Sequence, residues 1–215
     1  MPSYLGDGPL QGSFRFRSRT VAIVDREYGM GRGQVFPAKN AKSLLNPLRR
    51  LVQSPGRTVA AMGLGEGAVV VEIGAGPGYF SPSIADAVPE GHLVVVDLQP
   101  EMLRINQARL AARTNVSFVV ADAMQLPLRD RGADTTVIAT MLGEVPEPAR
   151  CIAEAHRVLS DDGTLVVCET RRDSDFIPFP RLSELVATTG FGDGTRRGAR
   201  WQYVARFRRR SAATA

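Results

Sequence analysis

The segment Val69-Val-Val-Glu-Ile-Gly-Ala-Gly-Pro-Gly-Tyr-Phe-Ser81 constrains the architecture of this chain more than any other. An apolar, β-branched run enters a turn with glycine at 74, 76 and 78, then leaves it at a helix start, Ser81 followed by Pro82. Glycines there admit left-handed backbone and let the main chain approach a ligand where any Cβ would collide. About twenty residues later, the distance such nucleotide folds use, a second apolar run, Leu93-Val-Val-Val-Asp97, ends in a carboxylate. A strand-terminal acid so placed accepts hydrogen bonds from both hydroxyls of a ribose, so the pair predicts a nucleoside-containing ligand. A turn that only packs a helix on a strand accounts for the glycines but leaves Asp97 unexplained.

Glycine spacing separates the ligand classes. A dinucleotide fold places its third glycine three positions after the second, so that a diphosphate rests on the helix N-terminus. Here Tyr79 holds that place and the glycine arrives early, at 78. An NAD enzyme is therefore disfavoured.

From Val69 onward short β-branched runs alternate with helix-like stretches, which predicts a mainly parallel sheet covered on both faces. Strands are expected at 69–73, 93–97, 117–121, 134–140 and 164–169, and a closing hairpin at 192–197 and 201–208. Pro82, Pro100 and Pro180 mark helix starts, and Gly190 ends the helix spanning Arg181 to Thr189. Upstream, Ala38 to Leu45, Pro47 to Val52 and Pro55 to Met62 carry helix signals, the last stopped by Gly63, while residues 1–35 show no periodicity and read as an arm. The division expected is a basic arm with helices over residues 1–62, capping the acceptor side, and a ligand-binding domain over 63–210.

The 215 residues, 44% hydrophobic and 23% charged, suit one globular domain with an extension. No apolar run approaches the roughly 18 residues of a membrane span, and residues 1–20 show no secretory pattern, so a cytoplasmic location is the expectation. Cys151 and Cys168 fall in a helix-like and a strand-like stretch and read as buried small hydrophobes, with no metal site implied. Charge is uneven. Residues 1–60 carry ten Lys or Arg and three acids, 61–190 ten and eighteen, and 191–215 seven and one. Basic ends attract anionic acceptors, nucleic acid or anionic membrane, although a solvated arginine-biased surface is the commoner meaning of such runs.

Glu72-Ile-Gly-Ala-Gly-Pro-Gly78 resembles motif I of the class I S-adenosylmethionine-dependent methyltransferases, and the resemblance extends over residues 37–208. Within it, Glu72, Gly74, Ala75, Gly76, Gly78 and Tyr79 would line the cofactor, with Asp97 and Leu98 at the ribose. Met102 would cover the adenine, Asp122 its amino group, and the Ala123 backbone the ring edge. Thr140-Met-Leu-Gly-Glu-Val145 is similar to the motif beside the methyl donor, and Arg157-Val-Leu-Ser-Asp-Asp-Gly-Thr-Leu165 to the approach to strand 5. The resemblance implies a Rossmann-like, doubly wound α/β sheet of order 3-2-1-4-5-7-6 with strand 7 antiparallel. It implies S-adenosyl-L-methionine as cofactor, and the general likeness is to ubiquinone and menaquinone C-methyltransferases.

Acceptor signatures are thinner. The Asn/Asp-Pro-Pro-Tyr/Phe motif of amino-group methylation is replaced by Thr140-Met-Leu-Gly143, neither cysteine sits where cytosine C5 chemistry needs a thiolate, and two cysteines do not supply arsenite chemistry. No quinone-specific signature stands in residues 1–60. A small-molecule acceptor is expected; RNA or protein methylation recruited by the basic ends, or cofactor binding without catalysis, are the alternatives. His92 and His156 are expected far from the site. Glu144, Asp173 and Asp175 fall on loops at the ligand edge and Tyr28 could be carried there, as candidate proton acceptors. Phe14, Phe16, Tyr28 and Phe36, with Arg32, Lys39 and Lys42, are expected to wall the acceptor pocket.

Overall fold

A computed structural model of the chain describes residues 34–210. Tyr28, Phe14, Phe16 and Arg32 lie outside the described residues. Seven strands form one sheet in the order β3-β2-β1-β4-β5-β7-β6. The strands are β1 (Val69–Ile73), β2 (His92–Asp97), β3 (Val116–Val120), β4 (Ala133–Ala139), β5 (Leu159–Thr170), β6 (Phe191–Ala199) and β7 (Gln202–Arg209). The first five pair in parallel, and β7 runs antiparallel to both β5 and β6, the sheet that the family resemblance implies.

The continuous apolar runs of β1 and β2 follow from burial on both faces. Val71, Ile73, Val94 and Val96 join one core with Ile152 and Ala155 of α6 (Pro148–Val158) and Leu182 and Val186 of α7 (Phe179–Ala187). Val70, Leu93 and Val95 join the other. There they meet α3 (Pro55–Met62), α4 (Ser81–Ala87) and α5 (Pro100–Arg109) through Met62, Ile84 and Leu103. Cys151 and Cys168 are fully buried, and their burial raises the Cys168 thiol above its ordinary range. His92 begins β2 at the amino edge beside Ser117, and His156 packs edge-on against Phe191.

Several boundaries differ from expectation. β5 starts at Leu159 rather than 164, because a register shift opposite Ala133 and Thr135 absorbs Ser160 to Gly163 into the strand, and its exposed Asp161 and Asp162 read as loop. β3 lies one residue earlier than predicted. The stretch Ala38–Leu45 divides into a 3-10 turn, Ala38–Asn40, and one helical turn, α1 (Ala41–Leu44). α2 is only Arg49–Val52, since the Asn46 side chain accepts the Leu48 amide at 2.9 Å and holds a turn there. α7 begins at Phe179 with Pro180 in its first turn, and Gly190 at φ 89° stops the chain after it. Among the described residues, no helix is long and apolar enough to cross a membrane.

Candidate functional site

All five parallel strands deliver their carboxyl ends to one edge, where a cleft opens, the position in which an open α/β sheet holds ligands. The glycine turn after β1 forms its floor. A Cβ at Gly74 or Gly78 would overlap Met141 or Asn106, so these two glycines serve packing. Gly76 differs: at φ 57° its missing side chain faces open cavity, with Leu44 Cδ1 4.0 Å from the Cβ position. The cradle is one that any side chain would fill.

Asp97, at the end of β2, is nearly buried and fixed by two backbone donors. Its Oδ2 accepts the Gly76 amide at 2.7 Å and its Oδ1 the Gln99 amide at 2.9 Å. Each carboxylate oxygen keeps a second acceptor site for a ligand hydroxyl. Burial lifts its pKa to about 6, against the lowering effect of the amides.

Glu72 lies deeper. Burial pushes its carboxyl to about 8, the Ser81 hydroxyl donates to it, and Oε2 has no partner. A buried, unpaired carboxylate oxygen lining a cavity calls for a cationic or donor ligand group, because leaving it unmade costs about 1–3 kcal/mol. Arg49 of α2 supplies the opposite charge. Its guanidinium lies 4.3 Å from the Tyr79 ring centroid and donates to Thr140 Oγ1 at 3.2 Å and Gln53 Oε1 at 2.9 Å. Thr140 itself adopts φ 54°, a left-handed conformation held by the hydrogen bond its amide donates to the Cys168 carbonyl at 2.8 Å. Strained non-glycine backbone of this kind gathers at ligand sites.

The amino-terminal segment closes one side. The Gln99 side chain accepts from the Ala38 amide at 3.1 Å and donates to the Phe36 carbonyl at 2.8 Å. The Phe36 amide donates to Glu144 Oε2 at 3.2 Å. Val35, Phe36, Leu44 and Arg49 consequently line the cleft. Burial, and then the neighbouring Asp175, Asp97 and Asp173, raise Glu144 to about 8, though the Phe36 amide opposes them.

Of the expected site residues, the cleft is lined by Glu72, Gly74, Ala75, Gly76, Tyr79, Asp97, Leu98, Met102, Asp122, Ala123, Thr140 and Glu144. Gly78 is outside, packed on α5, and Asp173 and Asp175 also stand off the lining. Burial puts Asp173 at about 6, although Arg49 pulls it down. Lys39 and Lys42 point to solvent rather than walling a pocket. Reading the sequence missed Arg49 and Gln99. Gln99 had a signal, standing two residues after a ribose-type acid; nothing distinguished Arg49 from Arg50.

The residues fit an S-adenosylmethionine-like ligand: a ribose acceptor at Asp97, room at Gly76, an unpaired acid at Glu72 for an ammonium, and Arg49 for a carboxylate. Comparison with known proteins agrees. A methyltransferase domain family matches residues 70–163. The chain is 31% identical over 115 residues to a demethylmenaquinone methyltransferase of Staphylococcus aureus, covering 53% of this chain and 48% of that protein. The chain thus spans about half the length of the curated relatives it matches. Among solved structures, a SAM-dependent methyltransferase from Aquifex aeolicus aligns with a TM-score of 0.71 at 22% identity, over 80% of this chain and 98% of that one. The [4+2]-cyclase SpnF aligns at 0.62 and 19%, over 74% and 80%. The methyltransferase domain match over residues 70–163, the strand order and the cleft together support a class I S-adenosylmethionine-dependent methyltransferase, whose fold the described residues share.

Proposed function

We propose that the chain transfers a methyl group from S-adenosylmethionine to a small-molecule acceptor received in the same cleft. The observation carrying this reading is the pairing of Gly76 and Asp97 across an open cradle, with the unpaired Glu72 carboxyl behind it. The cofactor supplies an electrophilic methyl on a sulfonium, a good leaving group. What the chain contributes is alignment and exclusion of water, which suffice for much of the acceleration of an in-line displacement. In this reading Asp97 holds the ribose, Leu98, Met102, Asp122 and Ala123 enclose the adenine, and Glu72, Arg49 and Tyr79 hold the methionine end. Residues 34–62 are the cap, and Phe36, Leu44, Met141 and Val145 wall the acceptor side. Neutral at pH 7, Glu144 orients the cap and acts as hydrogen-bond donor or acceptor to the substrate rather than as a ready base. Incubating the protein with methyl-labelled cofactor and a cell extract tests the reading: a labelled small molecule supports it. Label in RNA or protein overturns the acceptor class, and a thermal shift with NAD but none with S-adenosylmethionine overturns the cofactor.

A further inference from the structure

The large apolar side chains left exposed among the described residues are Leu48, Leu51, Val52, Val120 and Trp201. They come from distant parts of the sequence yet share one edge of the sheet. Val120 ends the parallel strand β3, and Trp201 tops the β6–β7 turn, which the Thr170–Gln202 pairing sets beside the end of β5. Leu48, Leu51 and Val52 surround α2, which Arg49 ties to Thr140 at the end of β4. This is the edge where the cleft opens. Exposure is substantial, 82% at Leu51, 67% at Leu48 and 50% at Trp201, and the five are spread along one rim, from β3 at one end of the sheet past α2 to the β6–β7 turn at the other.

The charge of the same rim is positive. Lys39, Lys42, Arg50, Arg171, Arg172 and Arg200 are exposed there, and no ion pair among the described residues engages them. The exposed acids of that edge, Glu101 and Glu147, are already met by Arg104 at 3.4 Å and Arg150 at 3.6 Å. From residue 28 through 65 the sequence holds no Asp or Glu at all. The exposed acids Glu66, Glu90, Asp134, Asp161 and Asp162 belong to the opposite edge, where the parallel strands begin.

We propose that this rim is a membrane-docking surface, which seats the cleft mouth against a bilayer containing anionic lipid. Aliphatic and indole side chains entering the headgroup boundary, ringed by cations that meet lipid phosphates, are the chemistry of peripheral attachment. RNA fits less well, because four of the five apolar side chains are aliphatic and gain nothing from phosphates or base stacking. The docking stands apart from the methyl-transfer reading, since it requires neither cofactor nor acceptor.

Trp201 is the sole tryptophan of the chain, so its emission reports the event directly. Added to the full chain, phosphatidylcholine vesicles containing phosphatidylglycerol should shift Trp201 emission to the blue and co-sediment the protein, whereas phosphatidylcholine alone should do neither. Salt should weaken the binding. Arg200→Gln should lower the vesicle partition coefficient about fivefold with cofactor binding unchanged, and Leu48→Ser with Leu51→Ser should lower it about tenfold or more. An unchanged Trp201 spectrum, equal partition of wild type and the Leu48→Ser/Leu51→Ser variant, or binding to poly(U) but not to vesicles overturns the proposal.

Discussion

The Asp97 carboxylate and the Gly76 amide, 21 positions apart in sequence, are joined by a 2.7 Å hydrogen bond. This bond locks the glycine turn to the end of β2, so Asp97 organises the cradle as well as facing the ligand. Asp97→Ala should lower affinity for S-adenosylmethionine tenfold or more, since each hydrogen bond to a charged acceptor contributes about 1.5–3 kcal/mol. It also leaves two amides without their acceptor, so the melting temperature should drop. Titration calorimetry on a folded variant with wild-type affinity would show that Asp97 is purely structural.

Gly76→Val tests the cradle from the other side. A Cβ there meets nothing nearer than Leu44 Cδ1 at 4.0 Å, and the φ of 57° costs about 1–2 kcal/mol in an L-residue. The variant should therefore fold, with lowered stability, and fail to bind cofactor. Normal binding would mean that the ligand lies elsewhere in the cleft.

Burial raises the Glu72 carboxyl from 4.5 to about 8, so the folded chain holds a proton that the unfolded chain releases. The sign follows: this contribution is complete below pH 4.5 and is lost as pH rises toward 8. Glu144 shifts the same way, also to about 8. Ligand-free protein should thus lose thermal stability across that interval, and Glu72→Gln should flatten part of the loss. An ammonium beside Glu72 reverses the shift, so cofactor binding at pH 7 should release protons, seen as a calorimetric heat that varies with buffer ionisation enthalpy. A heat independent of buffer in the wild type would remove Glu72 from the ligand's ammonium.

Arg49→Lys keeps the charge but loses the planar face over Tyr79 and the fork that reaches both Thr140 and Gln53. Cofactor affinity should fall about tenfold, about 1.4 kcal/mol, with the fold retained. Equal affinity would confine Arg49 to bracing α2.

How legible this was depends on the kind of signal. β1, the glycine turn and Asp97 could be read because backbone geometry and a buried acid each demand few residue types, and the structure brings them together as expected. The first two amino-terminal helices were read too long, because the Ser43 hydroxyl takes the Asn40 carbonyl and the Asn46 side chain the Leu48 amide, whereas α3 holds the bounds expected of it. Arg49 was invisible because its role comes from the fold: Tyr79 and Thr140, 30 and 91 residues away along the chain, make its place. Asp173 and Asp175 reached the correct edge but not the cleft wall, a matter of side-chain direction that spacing does not carry.

Among the described residues β7 comes last in sequence, yet it lies inside the sheet, between β5 and β6. Tyr203 and Phe207 are almost wholly buried, and the Tyr203 hydroxyl donates to the Ile177 carbonyl at 2.6 Å. During synthesis the Thr164–Thr170 edge therefore stays open until residues 202–209 have left the ribosome. For that interval the nascent chain carries an unpaired apolar strand, an invitation to pair wrongly. A nascent chain that has emerged only as far as Gly198 holds five strands ready, and a sixth with no neighbour to join.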